Sequence, residues 1–268
     1  MWFSDFYAQR VLSIAEDGSG LRTEVELDDQ PSGLGWMPDG SLLIVAMRSR
    51  TVRRRWPDGQ LERHADLAEV ADFLCNDMVV DPLGRAWVGN FGFDFDAAVA
   101  EKGFQILADH PTTRLARVDP DGFVSVAAED MSFPNGTVIT PDGKTLIIAE
   151  TLRARLTAFD IAADGTLAAR RVWAETWPRI PDGICLDAEG AVWAANPLAP
   201  ECVRFAEGGE VLETIDTGMN CIACMLGGEA RRTLFMLTAP SAHAATARVA
   251  PKAKLVACEV DVGRAGWP

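Results

Sequence analysis

Ser132-Phe133-Pro134-Asn135-Gly136-Thr137-Val138-Ile139-Thr140-Pro141-Asp142-Gly143, continuing as Lys144-Thr145-Leu146-Ile147-Ile148-Ala149-Glu150-Thr151, reads as a strand, a Pro-Asp-Gly turn and a second strand. Val138 and Ile139 are β-branched, and Leu146 to Ile148 form an apolar run. Asp142-Gly143 supplies residue types that tolerate positive φ in a tight hairpin. Asn135 stands at the entrance of the first strand, where an amide serves either as a turn residue or as a ligand.

Working outward, the same hairpin recurs. One glycine series runs Gly40, Gly84, Gly143, Gly190 and Gly228, and a second runs Gly18, Gly59, Gly122, Gly165 and Gly208. Most steps within a series are about forty to fifty residues, the period of four-stranded propeller blades built from two hairpins each. Residues 32–65, 76–126, 135–173 and 182–215 each read as four strands, here called A to D from the axis outward. Residues 220–262 show only three. The amino end supplies strands B, C and D near Trp2–Asp5, Arg10–Ile14 and Leu21–Leu27, with no strand A before them. The expectation is an all-β fold, a six-bladed β-propeller forming one domain over residues 1–268, with incomplete first and last blades. On this reading Met1 is an internal or mis-assigned start and the natural chain begins upstream; the alternative is a short protein with an open seam. A pair of β-sandwiches fits less well, because the repeat spans the whole chain.

The composition narrows the function. The chain has 268 residues, 48% of them hydrophobic, and a net charge of -14 from 39 acidic and 25 basic residues. Such a balance argues against a nucleic-acid surface and suits a cation site. No apolar run reaches the ~18 residues of a membrane span, so no membrane partner is expected. Cys75, Cys185, Cys202, Cys221, Cys224 and Cys258 follow no secretory leader, since Asp5 and Arg10 interrupt any apolar start. Reduced, mostly buried thiols in a cytoplasmic protein are expected.

Aligning the blades on their turn glycines brings out a pattern. The position eight residues before Gly40, Gly84, Gly143 and Gly190 holds Ser32, Asn76, Asn135 and Asp182, and Asn220 lies near the corresponding place in the last blade. Each is small and oxygen-bearing and precedes an apolar strand. Singly, each could merely cap its strand. Repeated at one end of a propeller, they form a ring of oxygens suited to a hard cation. If the A strands start at that face, the B-to-C loops return to it. They bring Arg48-Ser49, Asn90, Glu150-Thr151, Pro197 to Pro200 and Ala239 to Lys252. The same face carries the longest insertion, Phe91 to Thr113, a lid or specificity element or a solvated decoration.

Ser132–Thr151, Ile180-Pro181-Asp182-Gly183-Ile184-Cys185-Leu186-Asp187, Asn76-Asp77-Met78-Val79-Val80-Asp81-Pro82-Leu83-Gly84 and Met225–Phe235 together resemble the senescence-marker-protein/gluconolactonase, or regucalcin-like, family. The resemblance covers essentially the whole chain. It implies a six-bladed propeller binding one divalent cation, often with lactone hydrolase activity. It matches Asn135 and Asp182 to metal ligands, and Asn76 to a residue that contacts substrate or a metal-bound water. The family's remaining ligand is a glutamate in a Glu-x-Pro-x-Trp type segment, placed by the resemblance before Met1. Leu74 stands where sugar-lactone hydrolysing members can carry arginine.

Lactone hydrolysis needs a polarised carbonyl and a nucleophile, and a bound divalent ion serves both needs as Lewis acid and by acidifying its water. Asp182 can double as general base. Oxygen ligands point to Ca²⁺, Mg²⁺ or Mn²⁺, with Zn²⁺ less expected. The substrate expected is a small lactone or ester. Phosphotriester hydrolysis and a non-catalytic cation-binding propeller are the alternatives. His64, His110 and His243 fall in separate blades without a Ser-His-Asp pattern. Cys221-x-x-Cys224 is expected as buried packing, Arg53-Arg54-Arg55 as a solvated face, His64 as surface, and Trp36, Trp87 and Trp193 as blade packing.

Overall fold

The computed structural model describes residues 1–241 and 252–268. His243 and most of the expected Ala239–Lys252 loop lie outside the described residues. The glycines of both series all adopt positive φ, between 71° and 94°. The hairpin at Gly143 shows why. Gly143 N donates to Thr140 O at 2.8 Å, Thr140 N to Thr145 O at 3.0 Å, and Asp142 Oδ1 accepts from Lys144 N at 3.1 Å. A side chain at Gly143 would face the left-handed region that Cβ sterics disfavour.

Between these turns the described residues form six antiparallel sheets. It divides into two compact units, Met1–Asn135 with Gly165–Leu167 and Pro268, and Gly136–Asp164 with Ala168–Trp267. The first holds a three-stranded sheet of β1 (Trp2–Asp5), β2 (Arg10–Ser13) and β3 (Arg22–Glu26). Its second sheet is β4 (Pro31–Trp36), β5 (Leu42–Ala46), β6 (Thr51–Arg55) and β7 (Leu61–Asp66). Its third is β8 (Cys75–Val80), β9 (Ala86–Asn90), β10 (Thr113–Val118) and β11 (Val124–Met131). Leu43, Val45, Val52, Met78, Val80, Val88 and Val118 pack between the second and third sheets.

The second unit takes up most of β12 (Pro134–Ile139), paired in order with β13 (Thr145–Glu150), β14 (Arg155–Ile161) and β15 (Leu167–Glu175). There follow β16 (Ile184–Leu186), β17 (Val192–Asn196), β18 (Glu201–Phe205) and β19 (Val211–Asp216), then a three-stranded sheet of β20 (Asn220–Gly227), β21 (Thr233–Ala239) and β22 (Lys254–Glu259). Val138, Ile147, Leu156, Ile184 and Phe205 share one core, and Trp193, Leu226 and Leu234 another with four cysteines. The C-terminal segment crosses the far ends of the inner strands. Ala265 N donates to Leu186 O at 3.0 Å, and Trp267 and Ile139 exchange two bonds of 2.9 Å. These sheets of three or four strands are the blades of a six-bladed β-propeller, with three strands in the first and last.

Four expectations need correction. The insertion after β9 is not all loop: it holds α1 (Phe95–Lys102) and a 3-10 turn over Gly103–Leu107. Trp87 and Trp193 are fully buried, but Trp36 is 49% exposed and lies edge-on to Trp2 at 5.2 Å. Arg53 to Arg55 are half-buried rather than solvated. The Arg54 guanidinium pairs with Asp39 and lies 3.9 Å above the Trp56 ring. His64 is also half-buried, against the turn at Gly122, where a Cβ would lie 2.3 Å from His64 O. Burial first, then the Arg54 charge, pushes its pKa down. All six cysteines are free, and all but the half-buried Cys258 are buried.

Candidate functional site

Three inner strands begin with an oxygen-bearing residue followed by a glycine at a position that admits almost no side chain. A Cβ on Gly33 would lie 2.4 Å from Met78 N in the neighbouring sheet. A Cβ on Gly136 would lie 2.5 Å from both Asp182 O and Ile184 N, and one on Gly183 would lie 2.8 Å from Ala223 Cα. Glycine at these places lets neighbouring inner strands approach closely, which fixes the residues just before them: Ser32, Asn135 and Asp182.

Within the first unit, Ser32 and Asn76 are brought together. Both are buried, and Ser32 Oγ donates to Asn76 Oδ1 at 3.4 Å. Ser4 Oγ donates to the Ser32 carbonyl at 2.6 Å, tying β1 to the same strand start. Asn135 is buried at the head of β12. Its neighbour Phe133 adopts φ 55°, a left-handed conformation that costs a bulky residue and is held here by packing on Phe91.

Within the second unit, the backbone pins Asp182 from two sides. Its N donates to Ala195 O at 3.0 Å, and its carbonyl accepts from Gly136 N at 3.1 Å. Gly183 N adds a bond of 3.2 Å to Ile222 O. The Asp182 side chain stays half-buried. Thr151 Oγ1 donates to Pro181 O at 2.9 Å, so the loop after β13 reaches the strand start as expected. Next to it, Glu150 is wholly buried, and Arg155, Arg170 and Thr157 donate to it.

Sequence reasoning passed over Asp77. Ser32, Asn135 and Asp182 are followed by glycine, but Asn76 is followed by Asp77. The residue is half-buried and its carboxylate is densely surrounded. Burial raises its pKa from 3.8 to about 6, although a bond from Met78 N pulls the other way. The signal lay in the alignment, as the one carboxylate at a glycine position.

The donor chemistry fits a hard cation in kind: an amide oxygen from Asn135 and a carboxylate from Asp182. Four of the soft thiols, those of Cys185, Cys202, Cys221 and Cys224, are buried in the core between β16, β18 and β20, and Cys75 is buried in the first unit, directly before Asn76. Among the described residues no three His, Cys, Asp or Glu side chains converge as a metal cluster.

Residues 1–240 match the family described as SMP-30/Gluconolactonase/LRE-like region, and the chain belongs to that family. It is 28% identical over 214 residues to a pentonolactonase of Haloferax volcanii, covering 78% of this chain and 67% of that one. It is 28% identical over 242 residues to a 6-deoxy-6-sulfogluconolactonase of Pseudomonas putida, covering 88% and 78%. A solved gluconolactonase of Xanthomonas campestris is 25% identical, with a TM-score of 0.72 over 89% of this chain and 79% of that one.

Proposed function

We propose that the protein is a metal-dependent lactonase, a hydrolase that opens a small lactone to its hydroxy acid. The observation that carries this reading is the set of oxygens at the inner-strand starts, with Asp182 pinned through its own backbone. The lactonase names among the relatives support it.

Asn135 and Asp182 would hold the divalent ion, which could be Ca²⁺, Mg²⁺, Mn²⁺ or Zn²⁺. When bound, such an ion supplies Lewis acidity at the lactone carbonyl and lowers the pKa of a water. The Asp182 carboxylate accepts the proton of the attacking water as its oxygen bonds to the carbonyl carbon. The ring C–O bond then breaks, and the same proton returns to the departing alkoxide, so a hydroxy acid forms without net proton change at Asp182. Asn76, whose Oδ1 is oriented by the Ser32 hydroxyl, leaves its amide N–H groups to position the substrate. Free, mostly buried cysteines support a reducing, cytoplasmic setting.

The test is turnover of a lactone panel with and without a chelator, beside a phosphotriester. Chelator-sensitive lactone hydrolysis that is lost in Asp182→Ala supports the reading. Cation binding without turnover of any ester would leave a binding protein, and preferential phosphotriester cleavage would move the chemistry to phosphorus.

A further inference from the structure

An apolar rim links the strand starts at Asn76 and Asn135. Leu74 stands two residues before Asn76, and its carbonyl accepts from Phe91 N at 2.9 Å. The Phe91 ring lies edge-on to Phe133 with centroids 4.4 Å apart, and Phe133 stands two residues before Asn135. Phe95, the first residue of α1, packs on Phe133 at 5.1 Å, on Phe91 at 6.2 Å and on Phe93 at 6.5 Å. Phe133 is buried. Leu74, Phe91, Phe93 and Phe95 are half-buried, so each keeps part of its apolar surface in water.

Elsewhere in the insertion, Ile106 of the 3-10 turn is buried. α1 has no buried residue, and its polar start is satisfied by Asp94 Oδ1, which accepts from Ala97 N at 3.0 Å. The ring cluster is therefore what joins α1 to the strand starts. Among the described rings Phe93 meets that of Phe95, and it keeps part of its surface in water.

Chemistry decides what such a rim takes. Leu74, Phe91, Phe93, Phe95 and Phe133 carry no side-chain donor or acceptor. A polyhydroxylated ring set against them would lose water from its hydroxyls without replacement. An alkyl or aryl group would gain by leaving water. Resting on the lactonase reading above, we infer that the preferred substrate is a lactone with an apolar substituent, which lies along Leu74 and the Phe91, Phe93 and Phe95 rings. Specificity then comes from the insertion, while the strand starts serve the ester group common to all lactones.

The experiment is kcat/KM of the full chain for a γ-lactone series of increasing alkyl length, beside a gluconolactone. The expected result is a rise of about fourfold per methylene over the first few carbons, a preference over gluconolactone, and a flatter series in Phe93→Ser and Leu74→Arg. A flat or falling wild-type series, or gluconolactone as the better substrate, overturns the inference. If no lactone turns over, the lactonase reading falls by itself. The rim is then read by calorimetry with 5-alkyl-2-pyrrolidinones, which are not hydrolysed: affinity rising with chain length supports it, and affinity independent of chain length overturns it.

Discussion

Asp77→Asn removes a charge that the fold holds in an unfavourable place. Burial raises the Asp77 pKa from 3.8 to about 6, so the folded chain binds this proton more tightly than the unfolded chain does. The sign follows from linkage: the ionised form is penalised, and the penalty grows as pH rises from 3.8 and is complete above about 6. At about 1.4 kcal/mol per pH unit the full penalty is about 3 kcal/mol. At about pH 5, where the folded carboxyl is still mostly protonated, it is about 1.6 kcal/mol. Asparagine keeps an oxygen for Met78 N, which Asp77 binds at 3.0 Å, and carries no charge. The variant should therefore be more stable than wild type by about 3 kcal/mol at about pH 8 and by roughly half that at about pH 5. Urea unfolding at each pH gives both values. A gain in stability joined to a loss of lactone turnover would mark Asp77 as a position kept for function. A variant less stable than wild type at the higher pH, or a difference that does not change with pH, refutes the argument.

Glu150→Ala leaves Arg155, Arg170 and Thr157 without their shared acceptor. It should cost about 3 kcal/mol, read as a fall in Tm, and an unchanged Tm would contradict the network's role. Asp29 accepts from Gln30 N, Arg48 N and Ser49 N at 2.6, 3.1 and 2.8 Å. Burial pushes its pKa up, but these bonds outweigh it and the net direction is down. Its contribution is full above 3.8 and is lost as pH falls through the lower folded value. Asp29→Asn should thus destabilise by about 1–2 kcal/mol near neutrality, with the gap closing in strong acid. Gly136→Ala brings a Cβ to 2.5 Å from backbone atoms of Asp182 and Ile184. It should lower Tm and weaken turnover together, since the strand that must yield carries Asp182.

The fold was legible because its punctuation is local. Gly40, Gly84, Gly143 and Gly190 need positive φ wherever they fall, so their spacing reports the blades before any packing is known. The oxygen positions were legible for the same reason, being counted back from those turns. What stayed hidden depends on neighbours. α1 lacks an apolar stripe because no face of it is buried, although Asp94 and Gly103 mark its ends. Trp36 lies in an inner hairpin as Trp87 does, but it meets Trp2 edge-on and stays 49% exposed. Arg54 resembles a solvated charge until Asp39 and Trp56 are placed around it. Asp77 is one step from Asn76 in sequence, and the close approach of Gly33 from β4 to its backbone shows only in the fold.

Calorimetric titration of Ca²⁺ or Mn²⁺ into wild type, Asn135→Ala, Asp182→Ala and the double variant tests the shared ion most directly. The account predicts one ion per chain, loss of that binding in each single variant, and no further loss in the double. Undiminished binding in either single variant, or single losses that simply multiply in the double, would contradict it.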